Sequence, residues 1–363
     1  MENITSMTYK ELGGGTVTTD EGTGMEPVDG AIPLWWYVVP VTFLAIAFVG
    51  TSGNSLVLFV IAKHRDMRTV TNYFVGNLAI TDICFLLICD IPTSMVFLQW
   101  KLGSFMCRLT SYMQSVTVQA TCLTLTVMTI DRYNLIVHAV KSRNTRTTTR
   151  AVIINVLIWI FSFLLHIPAF VAASTDEQSN CVRKLNTPNG KIYHYVITNL
   201  FFMYLLPLAI IIYCYIQILV QVWRKTSEGT ESAQAQARAL RRKKKITKMV
   251  FIVVVLFAIC WAPVHIAIIT ILVYDTKGQD VSAAISYFHV FTLMLAYLNS
   301  IVNPFVYAFA TTSFKKYFRR VFASCTCRRV GGEMMTSVSI SMKTKSERLS
   351  VTQNGASKDD SSI

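Results

Sequence analysis

Charged side chains are almost absent from seven long stretches that make up more than half of this 363-residue chain. Six long stretches contain no Asp, Glu, Lys or Arg, and a seventh contains only Asp82 and Asp90. In chain order they are Ala31–Ala62, Thr69–Trp100, Leu109–Ile130, Ala151–Thr175, Ile192–Trp223, Met249–Tyr274 and Val281–Phe314. About 20 apolar residues of helix cross a bilayer core, and a backbone in lipid must satisfy its own hydrogen bonds. The pattern excludes a water-soluble fold and predicts an all-α bundle of seven transmembrane helices.

About 30 residues precede the first stretch and a polar tail follows the last, which leaves no room for a second folded domain. The sequence predicts an extracellular, glycosylated N-terminal tail over 1–33 and the seven-helix bundle over 34–312. A short amphipathic helix on the membrane surface is expected over 313–324, where Phe314 and Phe318 recur at helical spacing among basic residues. Residues 325–363 are rich in Ser and Thr and predict a disordered cytoplasmic tail.

Acidic residues are scarce beside basic ones, with 20 Asp and Glu against 34 Lys and Arg and a formal net charge of +14. The basic residues gather beside alternate ends of the apolar stretches, at 63–68, 141–150, 224–245 and 315–329. The N-terminal segment instead carries one Lys against six acidic residues. The positive-inside rule therefore predicts a plasma-membrane protein with its N-terminus outside and its C-terminus in the cytoplasm. Basic clusters at these places face anionic lipid, so no nucleic-acid partner is expected. Since no signal peptide precedes the first stretch, the first span is expected to direct insertion.

Cysteine usage excludes a disulfide framework, because five of the nine cysteines lie within apolar stretches. Cys107 and Cys181 both face the oxidising side and are the one pair expected to bond. Asn3 begins a glycosylation sequon, Asn3-Ile4-Thr5. Cys325 and Cys327 follow the basic amphipathic segment and are either palmitoylated or two free surface thiols.

One carboxylate, that of Asp82, is predicted to lie in the middle of the membrane, where an unpaired charge costs several kcal/mol. Its candidate companions are Asn54, Thr121, Asn299 and Asn303. Such a ring of hydroxyl and amide groups suits a sodium ion, but a protonated or water-bridged structural Asp is an equal alternative. No other cofactor is expected.

Pro207, Pro263 and Pro304 each lie inside an apolar stretch, and each removes a backbone donor from its helix. Trp261 lies just before Pro263, and Asn303-Pro304-Phe305-Val306-Tyr307 lies near a cytoplasmic end. Three kinks in these positions indicate a bundle able to shift between two arrangements.

These motifs together resemble those of the rhodopsin family (class A) of G protein-coupled receptors over roughly residues 35–325. The residues that carry the resemblance are Gly53-Asn54, Leu78-Ala79-Ile80-Thr81-Asp82, Asp131-Arg132-Tyr133, Trp159, Cys260-Trp261-Ala262-Pro263 and Asn303-Pro304-Phe305-Val306-Tyr307. The family implies a receptor whose partner is a heterotrimeric G protein, with arrestin and receptor kinases acting on the Ser/Thr-rich tail.

The resemblance also implies roles for single residues. The coupling switch comprises Asp131, Arg132, Tyr133, Tyr215, Asn303, Pro304 and Tyr307. The transmission core beneath the ligand comprises Cys122, Pro207, Phe257 and Trp261, with Cys122 standing where many relatives have Ile or Val. Cys107–Cys181 corresponds to the outer-loop disulfide, with Trp100 packing the first outer loop.

One departure from the family concerns the restraint on Arg132. Many receptors pair this arginine with an acidic residue at the start of the sixth span, but here that region reads Arg242-Lys243-Lys244-Lys245. Arg132 is expected to pair with Asp131 and Thr247 instead, which weakens the restraint and permits some basal activity.

The subfamily is indicated by Met67-Arg68-Thr69-Val70-Thr71-Asn72 and by Val118-Gln119-Ala120-Thr121-Cys122, which resemble kisspeptin receptors. Galanin and allatostatin-A receptors match the third-helix residues less well. The resemblance implies an amidated neuropeptide ligand and the Gq/11–phospholipase C route, or Gi/o coupling if the galanin-like alternative holds.

The ligand is expected to contact Asp90, Gln114, His265 and Tyr297, with Asp90 pairing with an arginine of the peptide. Alternatively, Asp90 caps the bend before Pro92 or pairs with an outer-loop lysine. A retinal protein is excluded because the seventh stretch has no Lys. The chain lacks the repeated halves of a transporter, and no nucleophile–base motif suggests an enzyme.

Overall fold

The structure is a computed structural model that describes residues 34–96, 100–175, 181–183, 191–226, 233–276, 282–311 and 313–321. The predictions for Asn3, Cys325, Cys327 and the two tails fall outside these residues.

Seven long helical segments follow one another along the chain, in the order that the apolar stretches predicted. The first span is Trp35–Lys63 and the third is Gly103–Val137. The second consists of Val70–Phe85, a π-helical turn Leu86–Asp90, and Ile91–Val96; the fourth of Thr148–Leu165 and Ile167–Ala172. The fifth consists of Lys191–Leu200, a π-helical turn Phe201–Leu205, and Leu206–Thr226. The sixth is Ala233–Thr276 and the seventh is Ala283–Ala310. The prediction of an all-α seven-helix bundle is confirmed.

The third span differs from the others in composition. Among the described residues, six helices are long and apolar enough by themselves to cross a membrane, and the third is not one of them. It is rich in Ser and Thr, and many of its polar side chains are buried. The hydroxyls of Thr117, Thr126 and Thr129 donate to carbonyls four residues earlier at 2.7–2.8 Å. Because these groups are satisfied within the helix, the third span can lie among the other helices instead of facing lipid.

In two of the spans the helix widens into a π-helical turn just before a proline. The π-helical turn Leu86–Asp90 comes just before Pro92, and the turn Phe201–Leu205 comes just before Pro207. A proline lacks the N–H of its helix and crowds the carbonyl four residues earlier, which the wider turn relieves. Pro263 and Pro304 instead lie inside unbroken helices. The sequence predicted an interruption of the helix at each of these two prolines. In the structure each proline removes one backbone N–H, and the helix continues without a break.

A disulfide lies at the N-terminal end of the third span. Cys107 bonds to Cys181 with a Cα–Cα distance of 5.4 Å, which confirms the predicted pair. Cys181 begins strand β2 (Cys181–Arg183), which pairs antiparallel with β1 (Ala173–Thr175). The fourth apolar stretch, taken as continuous to Thr175, therefore ends in a strand and not in a helix. Trp100 packs against Cys107 and Cys181, as expected, and its Nε1 donates to the Gly103 carbonyl at 3.1 Å.

Among the described residues, short helices also lie outside the spans. The helix Ala139–Thr145, called the loop helix below, connects the third and fourth spans. Residues 313–321 form the predicted eighth helix as far as it is described, and belong to a compact unit of their own. Within it Phe314 and Phe318 make an edge-on ring contact at 5.8 Å. Lys316 and Arg320 lie over the Tyr317 ring, each at 5.7 Å.

Asn77 connects three spans inside the membrane. Its Nδ2 donates to Thr124 Oγ1 at 2.8 Å, and its Oδ1 accepts from Trp159 Nε1 at 2.9 Å. The second span is thereby bonded to the third and the fourth. Asn77 is only 4% exposed, so neither bond has water as an alternative.

Asn77→Ala is expected to lower the free energy of unfolding by about 1–2 kcal/mol, because two intramembrane hydrogen bonds are lost and two buried partners remain. Thermal unfolding of the purified protein in one detergent measures this loss. Thr42→Val is the control, since the Thr42 hydroxyl bonds only to the Val38 carbonyl in an exposed position. An equal shift of the unfolding midpoint in both variants would contradict the role of Asn77.

Candidate functional site

The outer halves of the third and sixth spans present two predicted ligand residues at intermediate burial. Gln114 and His265 are both half-buried. The His265 ring lies 4.8 Å from the Tyr204 ring and 6.5 Å from the Trp261 ring, measured between centroids. Tyr204 is held in turn by its hydroxyl, which donates to the Ala258 carbonyl at 3.0 Å. His265 is thus a half-buried ring with hydrogen-bonding nitrogens, packed against two aromatic side chains.

Tyr297, also predicted to contact ligand, is completely buried. Its hydroxyl lies 3.1 Å from that of Thr93, and its ring stacks on Phe85 at 4.5 Å. Phe43 of the first span contacts the other side of the ring at 5.6 Å. Tyr297 therefore connects the first, second and seventh spans, and reaching a ligand would require it to leave Thr93.

Asp90 ends the π-helical turn of the second span and is completely buried. Among the described residues, no donor lies within hydrogen-bonding distance of either carboxylate oxygen. The Thr110 hydroxyl donates to the Ile88 carbonyl, four residues before Pro92, at 3.4 Å. Thr110 precedes Gln114 by four residues, so Asp90 lies about one helical turn nearer the outer end than Gln114. In the described part of the chain, Asp90 neither caps the bend before Pro92 nor pairs with a lysine.

The predicted transmission core lies beneath these residues. Trp261 contacts Phe257 and Phe85, with each pair of ring centroids 5.9 Å apart. Cys122 donates from Sγ to the Met203 carbonyl at 2.6 Å, within the π-helical turn of the fifth span. Pro207, directly after this turn, is buried.

Gln119, which the sequence did not mark as a site residue, contacts the same turn. Its Nε2 donates to the Phe202 carbonyl at 3.5 Å, next to the carbonyl that Cys122 bonds. The wide turn leaves these two backbone carbonyls without a donor in their own helix. Side chains of the third span donate to them instead, whereas lipid would leave the carbonyls unpaired.

Asp82 is 2% exposed and lies beside a small cavity of about 10 Å³, which is room for roughly one water molecule. Asn303 Nδ2 donates to Asp82 Oδ2 at 2.8 Å, so this predicted companion is in place. Thr121 and Asn299 line the cavity with Asp82. Among the described residues, Asn299 Oδ1 has no hydrogen-bond donor.

Two further side chains change the predicted composition of this site. Asn54 Nδ2 donates to the carbonyls of Gly50 and Ser300, each at 2.9 Å, and so bonds backbone instead of the Asp82 carboxylate. Ser300, which sequence reasoning missed, lines the cavity. Asn54 therefore joins the first and seventh spans, and Ser300 supplies the additional hydroxyl.

At the end of the bundle opposite the disulfide, Arg132 is only 2% exposed although it is charged. Its Nη2 lies 3.1 Å from Asp131 Oδ2, as expected, and also donates to the Thr71 hydroxyl. Asp131 has a second cation, because Arg146 approaches Oδ1 with Nε at 2.7 Å and Oδ2 with Nη2 at 3.1 Å. Thr71 and Arg146 were not predicted. No local pattern distinguishes Arg146 from the other basic residues of its loop.

The remaining residues of the predicted coupling switch lie close to this end of the bundle. Tyr215 donates from its hydroxyl to the Thr247 carbonyl at 3.4 Å and packs against Phe251 at 5.1 Å. The Tyr133 hydroxyl lies 3.1 Å from His138 Nε2. Tyr307 is completely buried in the seventh span, three residues after Pro304.

A bundle of seven spans, with a buried polar cluster near its middle and a buried arginine at one end, defines a class of membrane receptor. The sequence profile of the 7 transmembrane receptor (rhodopsin family) matches residues 53–307 of the chain. This match covers most of the chain, so the protein belongs to the rhodopsin family of seven-transmembrane receptors, a family of receptors rather than of enzymes.

Particular relatives are similar over most of their length. G-protein coupled receptor 54 of Oreochromis niloticus is 35% identical over 313 residues, which are 83% of this chain and 82% of that protein. The KiSS-1 receptor of Homo sapiens is 33% identical over 322 residues, or 84% of this chain and 80% of that receptor. The Allatostatin-A receptor of Bombyx mori is 33% identical over 301 residues, or 78% of this chain and 79% of that receptor.

Proposed function

We propose that this receptor binds an amidated, kisspeptin-like neuropeptide and activates a heterotrimeric G protein of the Gq/11 class, which leads to phospholipase C and calcium release. The observation that carries the ligand part is Asp90, a buried carboxylate that has no donor among the described residues. A buried acid without a partner is costly, and a cationic group of a ligand would remove that cost. The similarity to KiSS-1 receptors supports a peptide as the source of the cation.

The residues around Asp90 suit the end of a peptide. Gln114 on the third span is a neutral amide. A monoamine, the ligand of some other receptors of the family, would therefore have no acid to pair with at this position. Gln114 and the half-buried His265 can hydrogen-bond a terminal amide, while Asp90 pairs with an arginine side chain. Tyr297 would join them by exchanging its contact with Thr93 for one with the ligand.

Signalling requires that ligand binding at one end alters the other end. His265, Trp261 and Phe257 form a run of ring contacts down the sixth span. A peptide that moves His265 therefore pushes on the helix that carries Thr247, whose carbonyl accepts from Tyr215. A two-state shift of this helix would release Arg132 toward the G protein.

The proposed orientation places the N-terminus outside the cell and the C-terminus in the cytoplasm of a plasma-membrane protein. Asn3 would then be glycosylated, and palmitoylated Cys325 and Cys327 would anchor the segment that follows the eighth helix. Receptor kinases would phosphorylate the Ser/Thr-rich tail, whose added negative charge would recruit arrestin. The organisation into 1–33, 34–312, 313–324 and 325–363 belongs to this proposal.

A second candidate is a peptide receptor of the allatostatin-A or galanin type that couples to Gi/o. The Allatostatin-A receptor of Bombyx mori is as identical to this chain as the human KiSS-1 receptor, at 33%. The two candidates share the site residues and differ in the peptide and the second messenger.

Cells expressing the receptor should raise calcium when exposed to Arg-containing, amidated kisspeptin-like peptides. Arg132→Ala should preserve surface level and peptide binding but abolish the calcium response, because the charge that reaches the G protein is gone. Calcium release equal to wild type at matched surface level would contradict the role of Arg132. A fall in cyclic AMP without calcium release, or a response to allatostatin-A or galanin peptides only, would favour the second candidate.

The cavity beside Asp82 fits a small cation, because its polar lining consists of carboxylate, hydroxyl and amide groups. Asp82, Thr121, Asn299 and Asn303 would hold a sodium ion, with Ser300 as an additional ligand. The ion would supply positive charge that neutralises Asp82 and stabilises the resting bundle.

Sodium at about 150 mM should lower agonist affinity about fivefold or more relative to a salt of a larger organic cation, since the ion favours one of two states. Asp82→Asn should remove this dependence. Asp66→Asn, an exposed acid in the first cytoplasmic loop, serves as the control and should retain it. Competition binding on membranes measures both, and an equal sodium effect in Asp82→Asn would show that Asp82 is structural.

Asp90→Asn should weaken an Arg-containing amidated peptide about tenfold or more, the effect of losing one buried charged hydrogen bond. It should weaken the analogue with citrulline in place of that arginine far less. Binding of both peptides to purified wild-type and Asp90→Asn receptor measures the coupling between the two groups. Equal losses for the two peptides would show that Asp90 acts only on the fold.

A further inference from the structure

Arg146 lies at the end of the loop helix and occupies the carboxylate that also restrains Arg132. It contacts both oxygens of Asp131, and its Nη2 donates to Thr71 Oγ1 at 2.7 Å. Arg146 follows Thr145 directly, in an extended conformation that ends the helix. One side chain therefore bonds the second cytoplasmic loop to both the second and the third spans.

The two arginines share Asp131 unequally. Arg146 uses two nitrogens on two oxygens, the two-point geometry that makes guanidinium–carboxylate pairs strong. Arg132 reaches only Oδ2, and its Nε has no hydrogen-bond partner among the described residues. Both guanidinium groups also donate to the single Thr71 hydroxyl. Arg146 therefore holds Oδ1 of Asp131 alone and shares Oδ2 and the Thr71 hydroxyl with Arg132.

Among the described residues, Asp131 is the acid that pairs with both Arg132 and Arg146. The sixth span, Ala233–Thr276, contains no Asp or Glu before Asp275 near its other end. In the described ranges, the ion pairs of the cytoplasmic end are those of Asp131. The restraint on Arg132 thus depends on how much of one carboxylate it holds.

We propose that Arg146 is a positioning residue for G-protein coupling: it competes with Arg132 for Asp131, weakens the resting restraint on Arg132, and fixes the loop helix against the bundle. The proposal rests on the proposed coupling role of Arg132. Without Arg146, Asp131 turns both oxygens to Arg132 and holds it more firmly. Loss of the loop cation therefore lowers basal coupling, whereas loss of the shared acid raises it.

The test is basal nucleotide exchange by a purified G protein with the receptor in lipid nanodiscs. Arg146→Gln should lower the rate about threefold or more, roughly the effect of one partly exposed ion pair becoming available to Arg132. Asp131→Asn should raise the rate, and in that background Arg146→Gln should change nothing further. Arg146→Lys should give an intermediate rate, because an ammonium cannot make the two-point contact.

Lys141→Gln is the matched control, since Lys141 lies exposed on the same loop helix and the substitution removes the same charge. Its rate should equal that of wild type. A rate for Arg146→Gln at or above wild type, an equal fall in Lys141→Gln, or a persisting effect in Asp131→Asn would overturn the proposal.

A structural measurement separates this proposal from the proposed function. Amide hydrogen exchange over 139–147 in the purified receptor should be faster in Arg146→Gln than in wild type or Lys141→Gln, because the loop helix has lost its bonds to the spans. Unchanged amide exchange in Arg146→Gln would overturn the fixing of the loop. A wild-type receptor that supports no exchange with any G protein would contradict the proposed function instead.

Discussion

The bilayer offers no hydrogen-bond partner, and this constraint governs the placement of every polar side chain in the bundle. The third span can carry many hydroxyls because they return to its own backbone, as Thr126 and Thr129 do. Where a span widens before Pro207, the freed carbonyls are met by Gln119 and Cys122. Asn77 satisfies both ends of its amide on neighbouring spans. Packing of the spans is therefore largely a matter of pairing polar groups across them.

Under the same constraint, a buried polar group without a hydrogen-bond partner is a candidate contact for a ligand. Among the described residues, the Asp90 carboxylate and the Asn299 carbonyl oxygen accept no hydrogen bond. Both lie in the outer or middle part of the bundle, where the proposed peptide and sodium would bind. A cation bound at either place would pair with an oxygen that has no hydrogen-bond donor in the protein. Binding of the ligand would therefore stabilise the fold.

The end of the bundle that carries Arg132 has the reverse problem, since basic residues outnumber acidic ones there. One carboxylate, that of Asp131, serves both Arg132 and Arg146, and the hydroxyl of Thr71 accepts from the same two groups. The basic start of the sixth span supplies no further acid. Residues of two spans and one loop thus compete for the same acceptors at this end. Small changes in the strength of these contacts would shift the equilibrium between the resting and active states.

The seven spans could be predicted from the amino-acid sequence, because hydropathy over about 20 residues is a local property. The disulfide pair and the closeness of Asn303 to Asp82 were predicted as well. The contacts of Tyr297 with Thr93, 204 residues away, and of Arg146 with Asp131 and Thr71 emerge only in the folded bundle. Many basic side chains and hydroxyls are equivalent along the chain, and the packing of the helices selects the few that meet.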